Sequence, residues 1–437
     1  MLNPQQLTAD LFKLTAGRPI CLAYSGGIDS HVLLHVLATV PSASAVRAIH
    51  INHGIHPDAS NWANHCQYIA ESLGIDFSII EVTLEQVSEI GVEAAARRAR
   101  YRALNQALSA NEVLVTAQHQ NDQAETFLLQ LLRGAGPKGL SAMPEVGELE
   151  GMRVIRPLLT VTQQSIIAYA QHHKLRWIDD PSNQNTHFNR NYIRHRVWPI
   201  LDERWPMATQ LISRSASHCN EAVSLMADLA AIDEKTCSIN NQRLSINALK
   251  KLSEERQRNL LRFCIEKQKL TLPSTLVLQR IIDEVIGAAE DAEPFVTWQG
   301  AEVRRYRDEL YIQAPNPNLR EMHSQTITDT QTKRLNASSQ LIWTSTYGKG
   351  LSDAVISAGL SLRFREGGER IRIDGHSHHK SLKHLFQEWA VPPWQRDHIP
   401  LLFAGDELVA VVGYAYADGY AVDNGGTGWI AQLFTDS

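Results

Sequence analysis

The chain has 437 residues, of which 43% are hydrophobic and 20% are charged, and its formal net charge is −5. This profile is typical of a soluble globular protein with about two or three domains. It excludes a membrane span, which needs ~18 consecutive apolar residues, and a disulfide framework, since the five cysteines form no C-x-x-C pair. The N-terminus lacks the basic and apolar regions of a signal peptide, so we expect a cytoplasmic protein.

Strand-like and helix-like patterns alternate from residue 19 to about residue 133. The strand patterns are "PICLAY" (19–24), "VRAIHIN" (46–52), "FSIIEV" (77–82) and "VLVTA" (113–117). Apolar residues recur at helical spacing in 28–38, 60–73, 93–109 and about 122–133. This alternation predicts an α/β fold with a doubly wound parallel sheet and helices on both faces. Such sheets bind ligands at the carboxyl ends of their strands.

The pattern changes after Trp205. Two more helices are predicted before it, at 161–173 and about 190–200, and three with polar faces after it, at about 207–235, 253–268 and 275–289. A hairpin is expected in "EVRRYRDELYIQ" (302–313). The last part contains a strand pattern, "LSLRFR" (360–365), a helix near 380–390 and a hairpin that turns at Gly405-Asp406.

These patterns divide the chain into four segments. We expect the doubly wound α/β domain at 1–205 and a small, mostly helical domain at 206–313. The polar segment 314–345 lacks apolar periodicity, which predicts a linker. An α+β domain is expected at 346–437.

The stretch "SGGIDS" (25–30) lies where the first strand ends and the first helix begins. Gly26 and Gly27 permit a tight turn that leaves backbone N–H groups free at a helix N-terminus, which makes an anion site. The hydroxyls of Ser25 and Ser30 can hold phosphate oxygens as well. Asp29 would repel a phosphate directly, so we expect it to hold Mg²⁺.

Two other nucleotide-binding patterns do not fit. A Walker A loop requires G-x-x-x-x-G-K-[ST], and no lysine follows these glycines. A dinucleotide fingerprint occurs by letter count at 134–139, but it follows a helical pattern and contains Pro137. A plain strand-to-helix turn is the remaining alternative for "SGGIDS".

A second set of polar residues follows the fourth strand. Asp122 and Glu125 are three residues apart, so they share one face at the start of a helix. Acidic residues are common at helix starts for electrostatic reasons alone. Because the helix follows a strand end, however, we expect the pair to face the same crevice as Asp29, with His119 as a neutral donor or base.

A third set lies on the helix predicted at 93–109, where Glu93, Arg97, Arg100 and Tyr101 share one face. A solvated basic face is one interpretation of this pattern. The other is an arginine that stabilises an anionic transition state.

Together these motifs resemble those of the PP-loop ATP pyrophosphatases, and among them the tRNA(Ile)-lysidine synthetase family. The resemblance is carried, in chain order, by "SGGIDS" (25–30), "HINHGIH" (50–56), E-x-x-x-R-x-x-R-Y (93–101), A-x-H-x-x-D-x-x-E-T (117–126), "RPLL" (156–159), "DDPSN" (179–183) and "RNYIRHRVWPIL" (190–201). It continues through "RFREGGERIRI" near the C-terminus and is weakest at 205–345. One departure is Asn121, where many members have Asp; we expect Asp122 to be the working carboxylate.

The resemblance implies a PP-loop, adenine nucleotide α-hydrolase-like N-terminal domain and a two-step reaction. ATP adenylates the C2 carbonyl of the wobble cytidine in a tRNA(Ile) with a CAU anticodon, and free L-lysine then displaces AMP to form lysidine. The residues by themselves indicate adenylation only. The implied ATP-binding residues are Ser25, Gly26, Gly27, Ile28, Asp29 and Ser30. The implied catalytic residues are Asp29, which also binds Mg²⁺, and Arg97, Arg100, His119, Asp122 and Glu125.

Segment 363–396 carries a local charge of +3 on this acidic chain. A mixed-charge solvated face is one interpretation, and contact with RNA phosphates, which the resemblance favours, is the other. The expected tRNA-binding residues are Arg190, Asn191, Arg194, Arg365, Arg370, Lys380 and Lys383. We expect no membrane contact, and the sequence indicates no protein partner.

Two alternative functions remain open. The chain could be another PP-loop tRNA-modifying enzyme that adenylates its substrate. It could also be a non-catalytic tRNA-binding protein with a degenerate ATP site, although the intact "SGGIDS" stretch argues against that.

Overall fold

A computed structural model describes residues 2–40, 45–85, 91–240, 243–289, 292–315, 325–335, 339–373, 378–422 and 425–435. The chain forms two compact units, Met1–Ala230 and Ala231–Ser437, called unit 1 and unit 2 below. The long helix Ala208–Cys237 contains the boundary. None of the helices in the described ranges is long and apolar enough to cross a membrane.

Unit 1 contains a six-stranded sheet in the order β3-β2-β1-β4-β6-β5. Its strands are β1 (Ile20–Ala23), β2 (Val46–Asn52), β3 (Asp76–Glu81), β4 (Val113–Val115), β5 (Val146–Leu149) and β6 (Met152–Ile155). All neighbours are parallel except β5, which runs antiparallel to β6. The prediction of a parallel α/β sheet is confirmed, and the β5–β6 hairpin was not predicted.

The helices of unit 1 pack around this sheet. They are Pro4–Thr15, Ile28–Thr39, Ala59–Ser72, Val92–Ala107, Gln120–Leu132, Pro137–Leu140 and Gln163–His172, the 3₁₀ turn Pro181–Gln184, and a run made of Asn189–Tyr192, Ile193–Val197 and Trp198–Arg204. Three are named here: the loop helix is Ile28–Thr39, the carboxylate helix is Gln120–Leu132 and the arginine run is 189–204. The core of unit 1 joins β1 to the loop helix through fully buried residues such as Leu22, Val32 and Leu33. This packing fixes the start of the loop helix against the end of β1.

The described residues of unit 2 form four sheets. Their strand orders are β7-β8-β11-β10-β9, β12-β15-β18-β19-β20, β13-β14-β21 and β16-β17. The strands are β7 (Ser238–Asn240), β8 (Arg243–Ser245), β9 (Phe295–Trp298), β10 (Ala301–Tyr306), β11 (Glu309–Gln313), β12 (Gln325–Ile327), β13 (Lys333–Arg334), β14 (Ser339–Tyr347), β15 (Leu360–Arg363), β16 (Arg370–Ile371), β17 (Lys380–Ser381), β18 (Leu401–Ala404), β19 (Glu407–Val411), β20 (Ala415–Tyr416) and β21 (Thr427–Thr435). Its helices are Ile246–Leu249, Glu254–Lys267, Thr275–Arg280, Ile281–Ile286, Asp353–Ser357, Leu382–Glu388 and Pro393–Arg396.

Unit 2 differs from the sequence expectation in two places. The segment expected to be mostly helical also holds the five-stranded sheet β7–β11, of which the sequence indicated only the β10–β11 hairpin. The segment 314–345, expected to be a linker, contains β12, β13 and the start of β14. The strands β7, β8, β9, β12 and β13 have two to four residues each, too few to show a period of two. Strand β14 has nine residues, and shortness does not explain why its start was missed. The hairpin at Gly405-Asp406 is confirmed, and the four segment boundaries stay a prediction.

All five cysteines have free thiols. Cys21, Cys66, Cys237 and Cys264 are buried, and Cys219, on the helix Ala208–Cys237, is partly exposed. Burial raises the pKa of Cys66 and of Cys264 to about 12. The buried thiols therefore act as small apolar side chains.

Candidate active site

The "SGGIDS" stretch forms the turn between β1 and the loop helix. Gly26 has a φ of +83°, in the left-handed region that glycine adopts without strain. Gly27 is the N-cap residue, and Ser30 Oγ donates to its carbonyl oxygen at 3.0 Å. The hydroxyl oxygens of Ser25 and Ser30 lie 3.0 Å apart. The first helical amides, from Ile28 onwards, have no carbonyl partner within the helix, so the turn presents N–H and O–H donors side by side.

His119 is the N-cap residue of the carboxylate helix, just beyond the end of β4. Its Nδ1 accepts a hydrogen bond from the Asn121 N–H at 3.2 Å, which assigns the proton of the neutral ring to Nε2. The His119 N–H donates to Asp122 Oδ2 at 3.0 Å, so the two residues cap the helix together. Nε2 lies 3.4 Å from Asp122 Oδ2 and 3.6 Å from Asp29 Oδ1. The imidazole therefore stands between the carboxylates of two different helices, as the strand-end argument predicts.

Two arginines of the arginine run hold the carboxylates of Asp122 and Glu125. Arg190 donates from Nη2 to Asp122 Oδ1 and from Nε to Glu125 Oε2, both at 2.8 Å. Arg194 donates from Nη2 to Asp122 Oδ1 at 3.1 Å and from Nε to Glu125 Oε1 at 2.7 Å. Asp122 is 9% exposed and Glu125 is 3% exposed, and good hydrogen-bond geometry is what offsets the cost of burying such charges. Asp29, His119, Asp122, Glu125, Arg190 and Arg194 are called the charged cluster below.

Three residues expected to contact tRNA make hydrogen bonds within the site. Arg190, Asn191 and Arg194 were predicted to contact tRNA, but both guanidinium groups are engaged with carboxylates. Asn191 Nδ2 donates to the carbonyl oxygens of Ser182 and Asn185, at 3.0 Å each. These bonds indicate that the three residues position other groups of the site, and their contact with tRNA stays a prediction. The signal was present in the sequence, because residues 190 and 194 are four apart and share a helical face.

The two aspartates of the charged cluster have opposite pKa shifts. Burial raises the pKa of Asp29, and the Asp122 charge adds to that effect, while His119 and Arg194 oppose it. Burial also acts to raise the pKa of Asp122, but His119, Arg190 and Arg194 outweigh it and the pKa is lowered. The lowered pKa favours the carboxylate form of Asp122, whereas the raised pKa of Asp29 means that it binds a proton at a higher pH than an ordinary aspartate. Environments that separate two acids in this way are typical of active sites.

Asp29 is the residue that fits a Mg²⁺ ion. Its Oδ1 is buried and accepts no hydrogen bond within the described residues, and an orphaned carboxylate oxygen is a good ligand for a hard cation. The described chain contains no group of three or more His, Cys, Asp or Glu side chains arranged to hold a metal. Mg²⁺ often binds through one or two carboxylates together with substrate phosphates. Asp29 therefore suits a cation that arrives with a nucleotide.

Arg97 and Arg100 lie outside the charged cluster, on the helix Val92–Ala107. The Arg97 guanidinium lies 5.0 Å from the centroid of the Tyr101 ring, and Arg100 Nη2 lies 3.3 Å from His53 Nε2. Both arginines are exposed, and no hydrogen bond or ion pair between described residues joins either of them to the cluster. The side chain of Glu93 is not among the described ones. A catalytic role for the two arginines stays a prediction.

The two arginines expected to bind tRNA in unit 2 already have protein partners. Arg365 Nη1 donates to Asp397 Oδ1 at 3.3 Å. Arg370 Nη2 donates to the His379 carbonyl oxygen at 3.2 Å, and its side chain is exposed. Arg370 is therefore the more accessible of the two.

Lys380 and Lys383, the two lysines of segment 363–396, also differ in how available they are to bind an anion. Lys380 Nζ donates to both Glu388 carboxylate oxygens at 3.1 Å. Lys383 is exposed on the helix Leu382–Glu388, and no hydrogen bond or ion pair involves it within the described part of the chain. Lys383 is the more available cation.

Residues 176–185, called the strap below, connect the two halves of the site and were not given a role from the sequence. The Ile178 N–H donates to the Gly26 carbonyl oxygen at 2.9 Å, and the strap ends just before the arginine run. The "DDPSN" letters drew attention to this segment only through the family resemblance. A backbone hydrogen bond between distant segments leaves no mark in a single sequence.

The chain matches three family profiles. These are the PP-loop domain at 3–201, the TilS substrate binding domain at 244–311 and the TilS substrate C-terminal domain at 360–433. It is 42% identical to the tRNA(Ile)-lysidine synthase of Coxiella burnetii over 99% of this chain and 97% of that protein. It is 41% identical to the enzyme of the same name from Legionella pneumophila, over 98% of each. Among solved structures, it is similar to a U34-tRNA thiolase from Methanococcus maripaludis, with a TM-score of 0.42 and 18% identity over 50% of this chain and 78% of that chain.

Proposed function

Because this chain belongs to the tRNA(Ile)-lysidine synthase family, we propose that it ligates lysine to the wobble cytidine of tRNA(Ile). The tRNA carries a CAU anticodon, and the bond forms at C2 of the base. ATP is consumed, and AMP and pyrophosphate are released. Free L-lysine and the tRNA are its proposed substrates, and the five free thiols suit a reducing cytoplasm.

The observation that carries this proposal is the meeting of the "SGGIDS" turn with the charged cluster, where His119 Nε2 lies 3.6 Å from Asp29 Oδ1. In the first step the cytidine O2 attacks the α-phosphorus of ATP, and the bond to pyrophosphate breaks. The Ser25 and Ser30 hydroxyls and the first amides of the loop helix bind the departing phosphates, assisted by the helix dipole. These donors are in place before reaction, which is how an enzyme stabilises developing negative charge.

Asp29 and His119 act next to those donors. Asp29 would hold Mg²⁺, and the ion would supply positive charge to the leaving pyrophosphate. The His119 ring is buried, and its Nδ1 is occupied by the Asn121 N–H. It therefore presents only an Nε2–H donor towards this space. Arg190 and Arg194 fix Asp122 and Glu125, and Asp122 in turn fixes the orientation of His119.

In the second step the lysine amine attacks C2 of the adenylated cytidine. The new C2–N bond forms as the C2–O bond breaks, AMP leaves with the bonding electrons, and the amine nitrogen gives up one proton to solvent water. For the first step, we propose that Arg97 and Arg100, two exposed arginines of unit 1, stabilise the anionic adenylation transition state. Arg365, Arg370, Lys380 and Lys383 are proposed to contact tRNA phosphates.

The test is transfer of radiolabelled lysine to a transcript of CAU-anticodon tRNA(Ile) with ATP and Mg²⁺. We expect label in the tRNA, with one AMP formed per lysine, and none when ATP is omitted. A methionine tRNA transcript with the same anticodon is the matched control. AMP and pyrophosphate formation without lysine transfer would indicate another adenylating enzyme, and absence of tRNA-dependent ATP–pyrophosphate exchange would indicate a non-catalytic protein.

A further inference from the structure

The strap touches the "SGGIDS" turn through Ile178, whose N–H donates to the Gly26 carbonyl oxygen at 2.9 Å. A trans peptide group points its C=O and its N–H in opposite directions, and the described chain has no cis peptide bond. Anchoring the Gly26 carbonyl on the strap therefore turns the Gly27 N–H to the opposite side. There the Gly27 N–H donates to Ser25 Oγ at 3.4 Å, on the side where the hydroxyls of Ser25 and Ser30 lie.

The Ile178 side chain fills the space beside the same glycine. A Cβ atom at position 26 would lie 2.5 Å from Ile178 Cδ1 and 2.7 Å from Cys66 Sγ, closer than any van der Waals contact. The turn therefore needs glycine for two reasons, the positive φ and the close approach of the strap. The conformation of the turn is set in part by atoms outside it.

The other end of the strap is held by the arginine run. His195 Nε2 donates to the Asn183 carbonyl oxygen at 2.8 Å, and Asn191 donates to the carbonyls of Ser182 and Asn185. Residues 191 and 195 are four apart, like residues 190 and 194, and therefore form an adjacent helical face. One face of the run holds the carboxylates and the next face holds the strap.

Two further bonds stiffen the strap between these ends. Asp180 Oδ1 accepts from the Ser182 N–H at 2.8 Å, which caps the turn Pro181–Gln184. His65 Nε2 lies 3.1 Å from the Arg176 carbonyl oxygen. The strap is thus a tied segment that spans the distance from the turn to the charged cluster.

We propose that Ile178 is a positioning residue for the pyrophosphate end of ATP. Its backbone N–H holds the Gly26–Gly27 peptide in the orientation that directs the Gly27 N–H to the Ser25 hydroxyl, which fixes one of the donors proposed to bind phosphate. Asn191 and His195 hold the strap from the other end. The inference rests on the proposed function only in that the turn binds ATP. It goes further in assigning part of the ATP affinity to residues that do not touch the nucleotide.

The first test compares Ile178→Pro, which removes the N–H donor, with Ile178→Ala, which keeps it. The probe is ATP with Mg²⁺, bound to the full chain without tRNA or lysine and measured by calorimetry. We expect about tenfold weaker binding for Ile178→Pro, the factor that corresponds to one hydrogen bond, and a smaller loss for Ile178→Ala. Asp179→Ala, an exposed neighbour on the strap, is the matched control and should bind like wild type. Wild-type affinity in a folded Ile178→Pro variant would overturn the proposal.

The second test leaves the turn and Ile178 unchanged. The double variant Asn191→Ala with His195→Ala releases the far end of the strap, and Arg196→Ala, an exposed residue of the same run, is its control. We expect the KM for ATP to rise about threefold to tenfold in the double variant, with the KM for lysine unchanged and Arg196→Ala like wild type. An equal KM for ATP in the double variant and in Arg196→Ala would overturn the proposal, even if Ile178→Pro fails to fold.

These measurements separate the inference from the proposed function. A protein that binds ATP in a strap-dependent way but transfers no lysine contradicts the function and leaves the inference standing. A protein that forms lysidine with unchanged ATP affinity in both strap variants contradicts the inference alone.

Discussion

The charged cluster of unit 1 and the basic segment 363–396 of unit 2 both pair cations with carboxylates, but at different depths. The side chains of Asp122 and Glu125 are 12% and 3% exposed, whereas those of Lys380 and Glu388 are 37% and 41% exposed. Removing one partner of a buried pair costs about 3–5 kcal/mol, whereas an exposed pair contributes about 0–1 kcal/mol. Buried pairs therefore fix geometry, and exposed pairs can exchange a carboxylate for a phosphate at little cost.

Replacing Asp29, whose Oδ1 accepts no hydrogen bond within the described residues, should have the largest effect on the reaction rate. We expect Asp29→Asn to lower the adenylation rate by about 10²–10³-fold, the loss seen when one stabilising group is removed from developing charge. The affinity for tRNA should stay close to that of wild type, because tRNA binding is assigned to unit 2. The measurements are tRNA-dependent ATP–pyrophosphate exchange and a filter-binding titration of the tRNA.

Near-normal exchange in Asp29→Asn would remove Asp29 from the mechanism. A large loss of tRNA affinity in the same variant would contradict the division of labour between the two units.

Breaking the buried pairs should affect both stability and activity. In Asp122→Ala two guanidinium groups lose a partner and His119 loses its capping carboxylate, so we expect a free-energy loss of about 3–5 kcal/mol and severely reduced lysine transfer. Urea unfolding followed by tryptophan fluorescence and the lysine-transfer assay measure the two effects. Lys380→Ala, which breaks an exposed pair, is the matched control and should shift unfolding little. Equal losses of unfolding free energy in Asp122→Ala and Lys380→Ala would contradict the difference between buried and exposed pairs.

The Asp122 carboxylate also gives a prediction for how stability depends on pH. The folded-state pKa of Asp122 is lowered, so its contribution to stability is present above the unfolded-state value of about 3.9 and is lost as pH falls through the folded-state value. The difference in melting temperature between wild type and Asp122→Asn should be constant from about pH 7 to pH 5 and should shrink below about pH 4. A difference that grows on acidification would show that the sign is wrong.

The exposed lysines of segment 363–396 should govern how tRNA binding depends on salt concentration. Replacing Lys380 and Lys383 with alanine should raise the KM for tRNA and flatten its dependence on salt, by just under one unit of log slope for each lysine–phosphate interaction removed. The single variant Lys383→Ala should raise the KM for tRNA more than the single variant Lys380→Ala, because Lys380 already shares its charge with Glu388. The kcat at saturating tRNA should stay near wild type. An unchanged KM and slope would identify the segment as a solvated face.

The smallest effect is expected at the position that departs from the family pattern. Asn121 Oδ1 accepts a hydrogen bond from the Gln163 N–H at 3.2 Å, and a carboxylate could accept the same bond. Asn121→Asp should therefore be nearly neutral in lysine transfer and in melting temperature. A strong gain of activity would instead assign position 121 a direct role in metal binding.

The regular parts of unit 1 were predictable either from a long periodic pattern or from a continuous apolar run. The loop helix has twelve residues and β2 has seven, enough to show a period, and the shorter β1 and β4 are continuous apolar runs. Strands β5 and β6 have four residues each, and a polar or charged residue interrupts both. In the site, "SGGIDS" and Asp122 could be located by their places at strand ends. The partners Arg190 and Glu125 stand 65 residues apart along the chain, and their meeting depends on packing that one sequence does not encode locally.

The distribution of free thiols has a practical consequence for following this protein in solution. Only the thiolate form reacts readily with maleimides, and burial keeps the pKa of Cys21 at about 11 and that of Cys66 and Cys264 at about 12. Cys237 is also buried, with a raised pKa, which leaves Cys219 as the accessible thiol among the five. The native chain thus carries a single labelling site on its longest described helix, where a fluorophore can be attached without changing any residue.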